Sequence, residues 1–226
     1  MTMLHSDLDP RSVQVLPIGR VDYLGAWELQ RDLARKRSAG AVGDTLVLLE
    51  HPHTYTFGRL PKPEQLLLTR EELERQGIAL VASDRGGDIT YHGPGQIVGY
   101  PILKLARHGG DVLRYLRMLE ETIIVALAGL GIVGERIDGL TGVWVGGAKI
   151  CAIGVKLSAG GVTMHGFALN VTTDMRYFGQ IIPCGIADRG VTSIERALGA
   201  APPQPEVERR VVAAFGEVFG VEVRFA

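Results

Sequence analysis

Residues 142–169 read GVWVGGAKICAIGVKLSAGGVTMHGFAL, and this stretch decides the class of fold. Glycine pairs at 146–147 and 160–161 separate short apolar runs and are signals for tight hairpins. The runs predict three strands, Gly142–Val145, Lys149–Leu157 and Val162–Leu169, and a further apolar run, Ile132–Ile137, precedes them. The stretch therefore predicts an antiparallel meander.

Outward from the meander, strand patterns outnumber helix patterns and do not alternate regularly with them. The other predicted strands are Val13–Ile18, a segment beginning at Thr45, Ile78–Ala82, Ile89–Tyr91, Gln96–Leu103 and Val221–Phe225. The predicted helices are Tyr23–Ser38, one with a capping box at Thr69–Glu72, one capped by Asp111, and one opened by Pro205 and ended by Gly220. This pattern predicts an α+β fold, a single domain over residues 13–226 with a mixed or antiparallel sheet and flanking helices. Residues 1–12 are expected to form a flexible N-terminus.

Two local features carry more specific expectations. The cationic residues of the first helix, Arg31, Arg35, Lys36 and Arg37, are expected on a solvated face, with docking of a partner as the alternative. Pro101 is expected to place the end of its strand near an edge or a bend, because proline donates no backbone hydrogen bond.

Composition and charge exclude several classes of function. The chain has 226 residues, of which 46% are hydrophobic and 22% charged, as in ordinary globular proteins. A net charge of −1 and a pI of about 6.6 give no overall basic field for nucleic acid or an anionic membrane. No apolar run is long enough to span a bilayer, and the N-terminal residues do not resemble a signal peptide. We therefore expect a cytoplasmic protein without nucleic-acid or membrane partners.

The chain has only two cysteines, Cys151 and Cys184, which are expected to be free thiols in a reducing compartment. A zinc site could in principle combine both with two histidines from the set His51, His53, His92 and His165. No CxxC or HxxxH spacing supports such a site, so we predict no metal and no cofactor.

Residues 85–96, RGGDITYHGPGQ, are too rich in glycine to pack a core. The simpler interpretation is a pair of tight turns around a short strand. Turns alone do not need an arginine and a histidine at the two ends, so we favour a wall against which a ligand lies.

Lys149 begins a predicted strand in which alternation places it on the same face as Cys151. A solvent-exposed lysine is the simpler interpretation, but an amino group close to a thiol favours the nucleophilic thiolate. Which thiol is involved stays open on these grounds. Cys151 has apolar neighbours that suggest an inert core thiol, whereas Cys184 lies between Pro183 and Gly185 and can be presented at a bend.

Five segments together carry a family resemblance: EHPHTYTFGR at 50–59, RGGDITYHGPGQ at 85–96, GGAKICAIGVK at 146–156, HGFALN at 165–170 and PCGI at 183–186. In this order they closely resemble the lipoyl(octanoyl) transferase family, the octanoyl-carrier-protein:protein transferases of lipoate synthesis. The match runs from about Glu50 to Ser193. The resemblance implies the fold of the biotin and lipoate protein ligase catalytic domain.

The resemblance also implies a reaction. An octanoyl or lipoyl group passes from acyl carrier protein to a lysine of a lipoyl domain, in 2-oxoacid dehydrogenase E2 subunits or the glycine cleavage H protein. Cys184 matches the family's nucleophile, and Lys149 matches the lysine that lowers the thiol pKa and moves protons. The family's substrate-contacting segments fall on Arg85, Gly86, Gly87, Asp88, Ile89, Thr90, Tyr91, His92, Ala152, Ile153, Gly154, Gly166, Phe167 and Ala168. Cys151 lies outside the family's catalytic pattern and is assigned to the core.

An acyl chain offers only CH₂ groups to recognise, so we expect a slot of limited depth. Backbone at Gly86, Gly87 and Gly154 could approach the chain closely, with Phe167 closing one side. Arg85 and His92 could instead meet phosphopantetheine, acidic groups of the carrier protein or the acyl carbonyl, and these alternatives stay open.

Two other functions fit the same sequence features. An ATP-dependent lipoate or biotin protein ligase would share the fold but would activate a free acid and need no nucleophilic cysteine. A non-catalytic binder of lipoyl domains would need neither Cys184 nor Lys149.

Overall fold

The computed structural model describes residues 11–59, 61–182 and 189–226. Residues 1–10 of the predicted flexible N-terminus lie outside the described residues, as does Cys184. The described helices are α1 Tyr23–Ser38, α2 Arg70–Gln76, α3 Val112–Ala128, α4 Ile194–Leu198 and α5 Gln204–Phe219. The described strands are β1 Ser12–Arg20, β2 Asp44–Glu50, β3 Thr54–Phe57, β4 Ala79–Ala82, β5 Thr90–His92, β6 Gln96–Ile102, β7 Glu135–Ile137, β8 Leu140–Val145, β9 Ala148–Leu157, β10 Thr163–Asn170 and β11 Glu222–Phe225.

The main sheet has the strand order β11-β1-β2-β6-β10-β9-β8-β7. Strand β1 pairs in parallel with β11 and β2, whereas the remaining pairs are antiparallel. The predicted meander is therefore confirmed as β7 to β10, and so is the α+β fold with a mixed sheet. Helices α3 and α5 share one apolar core with the sheet, and α1 packs in a second core on other residues of the same strands.

A second, three-stranded sheet has the order β4-β3-β5, which the sequence did not predict. Strand β3 pairs in parallel with β4 and antiparallel with β5. Its own small core contains Tyr55, Tyr91 and Phe178. The predicted short strand in the glycine-rich stretch belongs to this sheet, which therefore holds the glycine-rich stretch beside the main sheet.

Local capping signals set the helix ends as predicted. The Thr69 side chain accepts from the backbone N–H of Glu72, and the Glu72 carboxylate accepts from the N–H of Thr69. Asp111 caps α3, and Gly220 ends α5 at a left-handed φ of 64°. No helix of the described residues is long and apolar enough to cross a membrane.

The prediction of a solvated cationic face on α1 is wrong for Arg37. Its side chain is 5% exposed, and its Nε donates to Asp44 Oδ1 at 2.5 Å. His108 Nε2 lies 2.8 Å from the other oxygen of the same carboxylate. Arg37 is thus buried because its partner Asp44 comes from β2, which the helix pattern does not reveal.

Pro101 does not lie at an edge, because β6 lies between β2 and β10 in the sheet. A proline is tolerated at this position because of the local geometry of β10. The paired residues of β10 and β6 end at Phe167 and Gly99, and His165, two residues further, has a left-handed φ of 56°. The N–H of His165 donates to the side chain of Gln30 and not to the sheet. Pro101 therefore lies where β10 bends away and no donor is needed.

Candidate active site

A cavity of about 460 Å³ lies between the glycine-rich stretch, the strands β9 and β10 and the start of α3. Its lining includes Lys149 and all but one of the predicted substrate-contacting residues: Arg85, Gly86, Gly87, Asp88, Ile89, Thr90, His92, Ala152, Ile153, Gly154, Gly166, Phe167 and Ala168. The exception is Tyr91. Because side chains alternate along β5, Tyr91 points away from Thr90 and His92 into the core of the small sheet, where it stacks on Tyr177 at 4.8 Å.

A β-bulge aims Lys149 at the cavity. Val143 and Trp144 of β8 are adjacent, but their partners on β9 are Cys151 and Lys149, which are two residues apart. One extra residue on β9 breaks the predicted alternation, and Ile150 and Cys151 are both fully buried. The expectation that Lys149 and Cys151 share a face by simple alternation is therefore wrong, since the bulge lies between them.

The aromatic ring of Trp144 lies beneath two cations. Lys149 Nζ is 4.7 Å from the ring centroid, and the Arg189 guanidinium carbon is 6.0 Å from it. The face of an indole attracts an ammonium group, so Trp144 helps to hold the Lys149 amino group at this position. Arg189 also lines the cavity, five positions after Cys184.

Backbone hydrogen bonds join Lys149 to the chain that follows Cys184. The Lys149 N–H donates to the carbonyl of Gly190 at 2.9 Å, and the Thr192 N–H donates to the carbonyl of Lys149 at 2.9 Å. Gly190 and Val191 line the cavity together with Lys149. The described chain on the C-terminal side of Cys184 is thus held directly against the lysine.

Cys151 is fully buried in the main core and is not among the cavity-lining residues. Burial raises the pKa of its thiol, with only a smaller opposing effect from Lys149. A buried neutral thiol is a poor nucleophile, which agrees with the assignment of Cys151 to the core.

The Arg85 side chain is 7% exposed, and its guanidinium group donates hydrogen bonds to other groups of the protein. Its guanidinium donates to the carbonyls of Thr56, Gly86 and Asp88 at 2.6, 3.0 and 2.7 Å. It also donates to the Thr56 hydroxyl at 2.9 and 3.1 Å. Arg85 therefore clamps the glycine-rich stretch to β3, and it is not presented to phosphate or carboxylate groups as the sequence suggested it could be.

His92 is a neutral, buried imidazole with both ring nitrogens engaged. Its Nδ1 lies 2.9 Å from Gln96 Oε1, while the Gln96 amide group donates to Asn170 Oδ1 at 2.9 Å. Gln96 Oε1 is therefore an acceptor, so His92 carries its proton on Nδ1 and its Nε2 accepts from the Thr56 hydroxyl. Burial lowers the pKa of His92 well below its usual value, with smaller contributions from His51 and Arg85.

His51 is also neutral, and its ring packs against the rings of Tyr23 and His92. Its Nδ1 donates to the Val21 carbonyl at 2.7 Å, and its Nε2 accepts from the Tyr100 hydroxyl at 2.7 Å. Burial lowers the pKa of His51 to about 4. This part of the cavity thus carries no imidazolium charge at neutral pH and suits an apolar ligand.

Two glycines leave room for backbone, not for ligand. A Cβ on Gly154 would lie 2.7 Å from the carbonyl oxygen of Gly86, whose N–H donates to the Val155 carbonyl. A Cβ on Gly166 would lie 2.1 Å from the carbonyl oxygen of Gly99. The predicted clearance at Gly154 is therefore occupied by the glycine-rich stretch itself, which closes the edge of β9 beyond the end of its pairing with β8.

His165 lies at this same side of the cavity, fully buried. Its Nε2 is 2.7 Å from Asp84 Oδ1, and Lys156 pairs with the other oxygen of Asp84. Burial lowers the pKa of His165, so the imidazole is neutral and its Nε2 donates to the carboxylate. Its Nδ1 has no hydrogen-bond partner among the described residues.

Several lining residues were not predicted. Among them are Tyr23, Gln96, Tyr100, Trp144 and Asn170. Gln96 and Asn170 end two of the quoted motifs, RGGDITYHGPGQ and HGFALN, so position in a motif was an available signal for them. The aromatic residues have no such signal, because burial in a core and lining of a cavity use the same residue types.

No group of three or more His, Cys, Asp or Glu in the part of the chain that the structure describes is arranged to hold a metal ion. The nitrogens of His51 and His92 are both engaged by protein groups, as described above.

Comparison with known sequences identifies a family over nearly the whole chain. The lipoyl protein ligase A/B catalytic domain matches residues 22–216. An octanoyltransferase of Chloroflexus aggregans is 58% identical over 211 residues, which cover 92% of this chain and 96% of that protein. An octanoyltransferase of Roseiflexus is 54% identical over 214 residues, covering 94% of this chain and 89% of that protein.

Solved structures share the fold at low sequence identity. A bi-partite lipoate protein ligase from Thermoplasma acidophilum is 16% identical, with a TM-score of 0.72 over 95% of this chain and 86% of that chain. Biotin protein ligase from Aquifex aeolicus is 15% identical, with a TM-score of 0.54 over 92% of this chain and 68% of that chain. The expected biotin and lipoate protein ligase fold is thereby confirmed.

Proposed function

This chain belongs to the octanoyltransferases of the lipoyl protein ligase A/B catalytic-domain family and is an acyltransferase, and from that premise we propose that it works through a thioester on Cys184. The donor is octanoyl-acyl carrier protein, and the acceptor is a lysine of a lipoyl domain. The acceptor proteins are the E2 subunits of 2-oxoacid dehydrogenases and the glycine cleavage H protein.

One observation carries this proposal. The cavity contains Lys149, and the backbone of Lys149 is hydrogen-bonded to Gly190 and Thr192, which follow Cys184 by six and eight positions. A cationic lysine beside the chain that carries a cysteine is the arrangement that favours a thiolate. The other thiol, Cys151, is buried and has a raised pKa, so it does not compete for this role.

In the first step the Cys184 thiolate attacks the thioester carbonyl of the octanoyl donor. The C–S bond to phosphopantetheine breaks, and the leaving thiolate takes a proton from the Lys149 ammonium group. Because one thioester replaces another, the exchange is nearly isoenergetic, and the cysteine remains a good leaving group.

In the second step the acceptor lysine must lose a proton before it can attack, since an unperturbed lysine has a pKa near 10.4. Neutral Lys149, formed in the first step, takes that proton. The amine attacks the Cys184 thioester, its nitrogen releases a second proton to water as the amide forms, and the Cys184 thiolate leaves. Both the lysine and the thiolate have then returned to their starting forms.

The acyl tail also needs a place in the cavity. Lys149 and Gly154 lie on the same strand, β9, and both line the cavity. With the acyl carbonyl near the Lys149 amino group, we propose that the octanoyl tail extends towards the contact between Gly154 and Gly86, and that this contact limits its length.

Acyl-adduct mapping tests the proposal. The protein is incubated with octanoyl-acyl carrier protein without ATP, and intact and peptide mass spectrometry locate any octanoyl group. We expect a thioester on Cys184 in the wild type and none in Cys184→Ser, with Cys151→Ser as the matched control that keeps the adduct. No thioester at Cys184 would exclude this mechanism.

The same incubation separates the alternative functions. An ATP-dependent lipoate or biotin protein ligase would modify a lipoyl domain only when free octanoate and ATP are supplied. A non-catalytic binder would retain lipoyl-domain binding in Cys184→Ser and would transfer no octanoyl group in any form. We expect transfer from the carrier protein alone, and its loss in Cys184→Ser.

A further inference from the structure

Asn170 is the last residue of β10 and the only asparagine in the chain. Its side chain is 3% exposed and lines the cavity. It ends the HGFALN motif, but the family resemblance gives it no role in the reaction. A buried amide beside a cavity needs partners for its donors and acceptor, and those partners indicate what it does.

Both ends of the Asn170 amide are engaged. Its Nδ2 donates to the carbonyl oxygen of Thr192 at 3.0 Å, and its Oδ1 accepts from Gln96 Nε2 at 2.9 Å. A carbonyl oxygen can only accept, so the orientation of the amide is fixed by its partners. Asn170 is thus the link between Gln96 on β6 and the chain that follows Cys184.

Thr192 in turn is tied to Lys149. The Thr192 N–H donates to the Lys149 carbonyl, and the Lys149 N–H donates to the Gly190 carbonyl, both at 2.9 Å. Residues 190–192 therefore lie between the Lys149 backbone on one side and the Asn170 side chain on the other. A shift of these residues would alter their position relative to Lys149.

The link continues through buried groups to the glycine-rich stretch. Gln96 is 1% exposed and accepts from His92 Nδ1, and His92 Nε2 accepts from the fully buried Thr56 hydroxyl. Each of these groups has one arrangement that satisfies all its partners, and a satisfied buried network is rigid. Asn170 therefore connects a rigid network to the segment that follows the nucleophile.

We propose that Asn170 is a positioning residue that holds residues 190–192 in register with Lys149, and that this register supports the pairing of the Lys149 ammonium group with the Cys184 thiolate. This rests on the proposed function in taking Cys184 as the nucleophile. The attraction between an ammonium group and a thiolate weakens with distance, so a looser register lowers the thiolate fraction at neutral pH.

The test measures the rate of Cys184 alkylation by iodoacetamide against pH, with peptide mass spectrometry to separate it from Cys151. Asn170→Ala should move the Cys184 profile to higher pH and reduce the thiolate fraction at pH 7 roughly tenfold, the equivalent of one pKa unit. Octanoyl transfer should fall roughly 10- to 100-fold, mainly in kcat.

Thr163→Val is the matched control. Thr163 is on the same strand, is 1% exposed, and likewise makes one accepting and one donating hydrogen bond, to the N–H of Leu103 and the carbonyl of Pro101. It does not line the cavity. Thr163→Val should lose stability as Asn170→Ala does, but should keep the wild-type alkylation profile.

The variant Asn170→Asp gives a second test, because the change of its transfer activity with pH has a predicted direction. An ionised carboxylate would face the Thr192 carbonyl without a donor, whereas a protonated one can donate to it. Burial raises the pKa of such a carboxyl group, so transfer by Asn170→Asp relative to the wild type should recover as the pH falls below about 7. A role limited to stability would produce this recovery only in a partly unfolded sample, so transfer is measured well below the midpoint of thermal unfolding determined for Asn170→Asp at each pH.

The outcomes separate the two proposals. If Asn170→Ala keeps the wild-type alkylation profile, or if Thr163→Val shifts it equally, the positioning role is wrong. If Cys184 is alkylated as expected but never carries octanoate, the proposed function fails while the positioning role stands. If Asn170→Ala does not fold, the recovery of Asn170→Asp at low pH decides, and its absence overturns the proposal.

Discussion

The two ends of the cavity have opposite chemical character. At the wall end, formed by Arg85–His92 and Gly154, buried polar groups satisfy one another: Arg85 donates to three carbonyls, and His92 is fixed as a neutral tautomer. At the lysine end, formed by Lys149, Trp144 and residues 190–192, two cations lie over one indole ring. Our proposal therefore assigns binding of the apolar chain and proton transfer to different ends of one cavity.

This difference shows that a charged residue in a motif need not contact the substrate. Arg85 is the more conspicuous cation in the sequence, yet its guanidinium is consumed by the backbone of β3 and of its own loop. A group that is already satisfied has little left to offer a ligand, and losing it costs stability first. Substitutions at each end can therefore test whether the lysine end acts mainly in transfer and the wall end mainly in stability.

The largest effect is expected for Lys149→Ala. Without an amino group to stabilise the thiolate and accept the proton of the acceptor lysine, octanoyl transfer to a lipoyl domain should fall roughly 10²- to 10⁴-fold. The rate of transfer checks this, with thermal unfolding to confirm the fold. Lys156→Ala is the control, because Lys156 is on the same strand but pairs with Asp84. Equal losses in both variants would contradict a specific role for Lys149.

The second prediction concerns stability at the wall end. Arg85→Met should leave the carbonyls of Thr56, Gly86 and Asp88 without their donors and lower the free energy of unfolding by roughly 3–4 kcal/mol. Urea denaturation checks this. Arg75→Met, on the exposed surface of α2, should cost little. A variant as stable as the wild type but with a raised KM for the donor would instead make Arg85 a substrate contact.

The third prediction concerns pH. The pKa of His51 is lowered to about 4 in the folded protein from an ordinary value near 6.5, so the unfolded chain binds the proton more tightly. Stability is therefore present above pH 6.5 and is lost as the pH falls towards 4, by up to about 3 kcal/mol for this group. Urea denaturation at a series of pH values checks the slope. His51→Gln, which keeps an acceptor for Tyr100 and a donor for Val21, should flatten it, and an unchanged slope would contradict the assignment.

Much of the fold was predictable because its signals are local. The hydrophobic period gives both ends of α1, the capping box gives the start of α2, and glycine pairs give the hairpins of the meander. The small sheet was missed because pairing of β3 with β4 joins segments separated by α2, and strand patterns do not state their partners.

Most of the predicted substrate-contacting residues line the cavity, but their arrangement was not predictable. Tyr91 was misplaced although strand alternation could have separated it from His92. The bulge before Cys151 depends on the register of β8, and the partners of Arg85 come from 29 positions earlier in the chain as well as from its own loop. Contacts of this kind are set by the tertiary structure and cannot be predicted from the residue type.

The smallest expected effect sharpens the comparison at the wall end. Gly86 has no left-handed φ, and a Cβ there would lie 3.4 Å from the Val155 carbonyl oxygen, so alanine fits. Gly87, with a φ of 83°, and Gly154, where a Cβ would meet the Gly86 carbonyl at 2.7 Å, are not suitable for this test.

The added methyl group of Gly86→Ala should displace about one CH₂ of the octanoyl tail, which is about 0.8 kcal/mol or roughly fourfold in kcat/KM. A hexanoyl donor should be unaffected, so the ratio of octanoyl to hexanoyl transfer is the measurement, with Gly179→Ala as a control away from this cavity. Cys184 alkylation should match the wild type, because the lysine end is untouched. An unchanged ratio would mean that chain length is not read at Gly86.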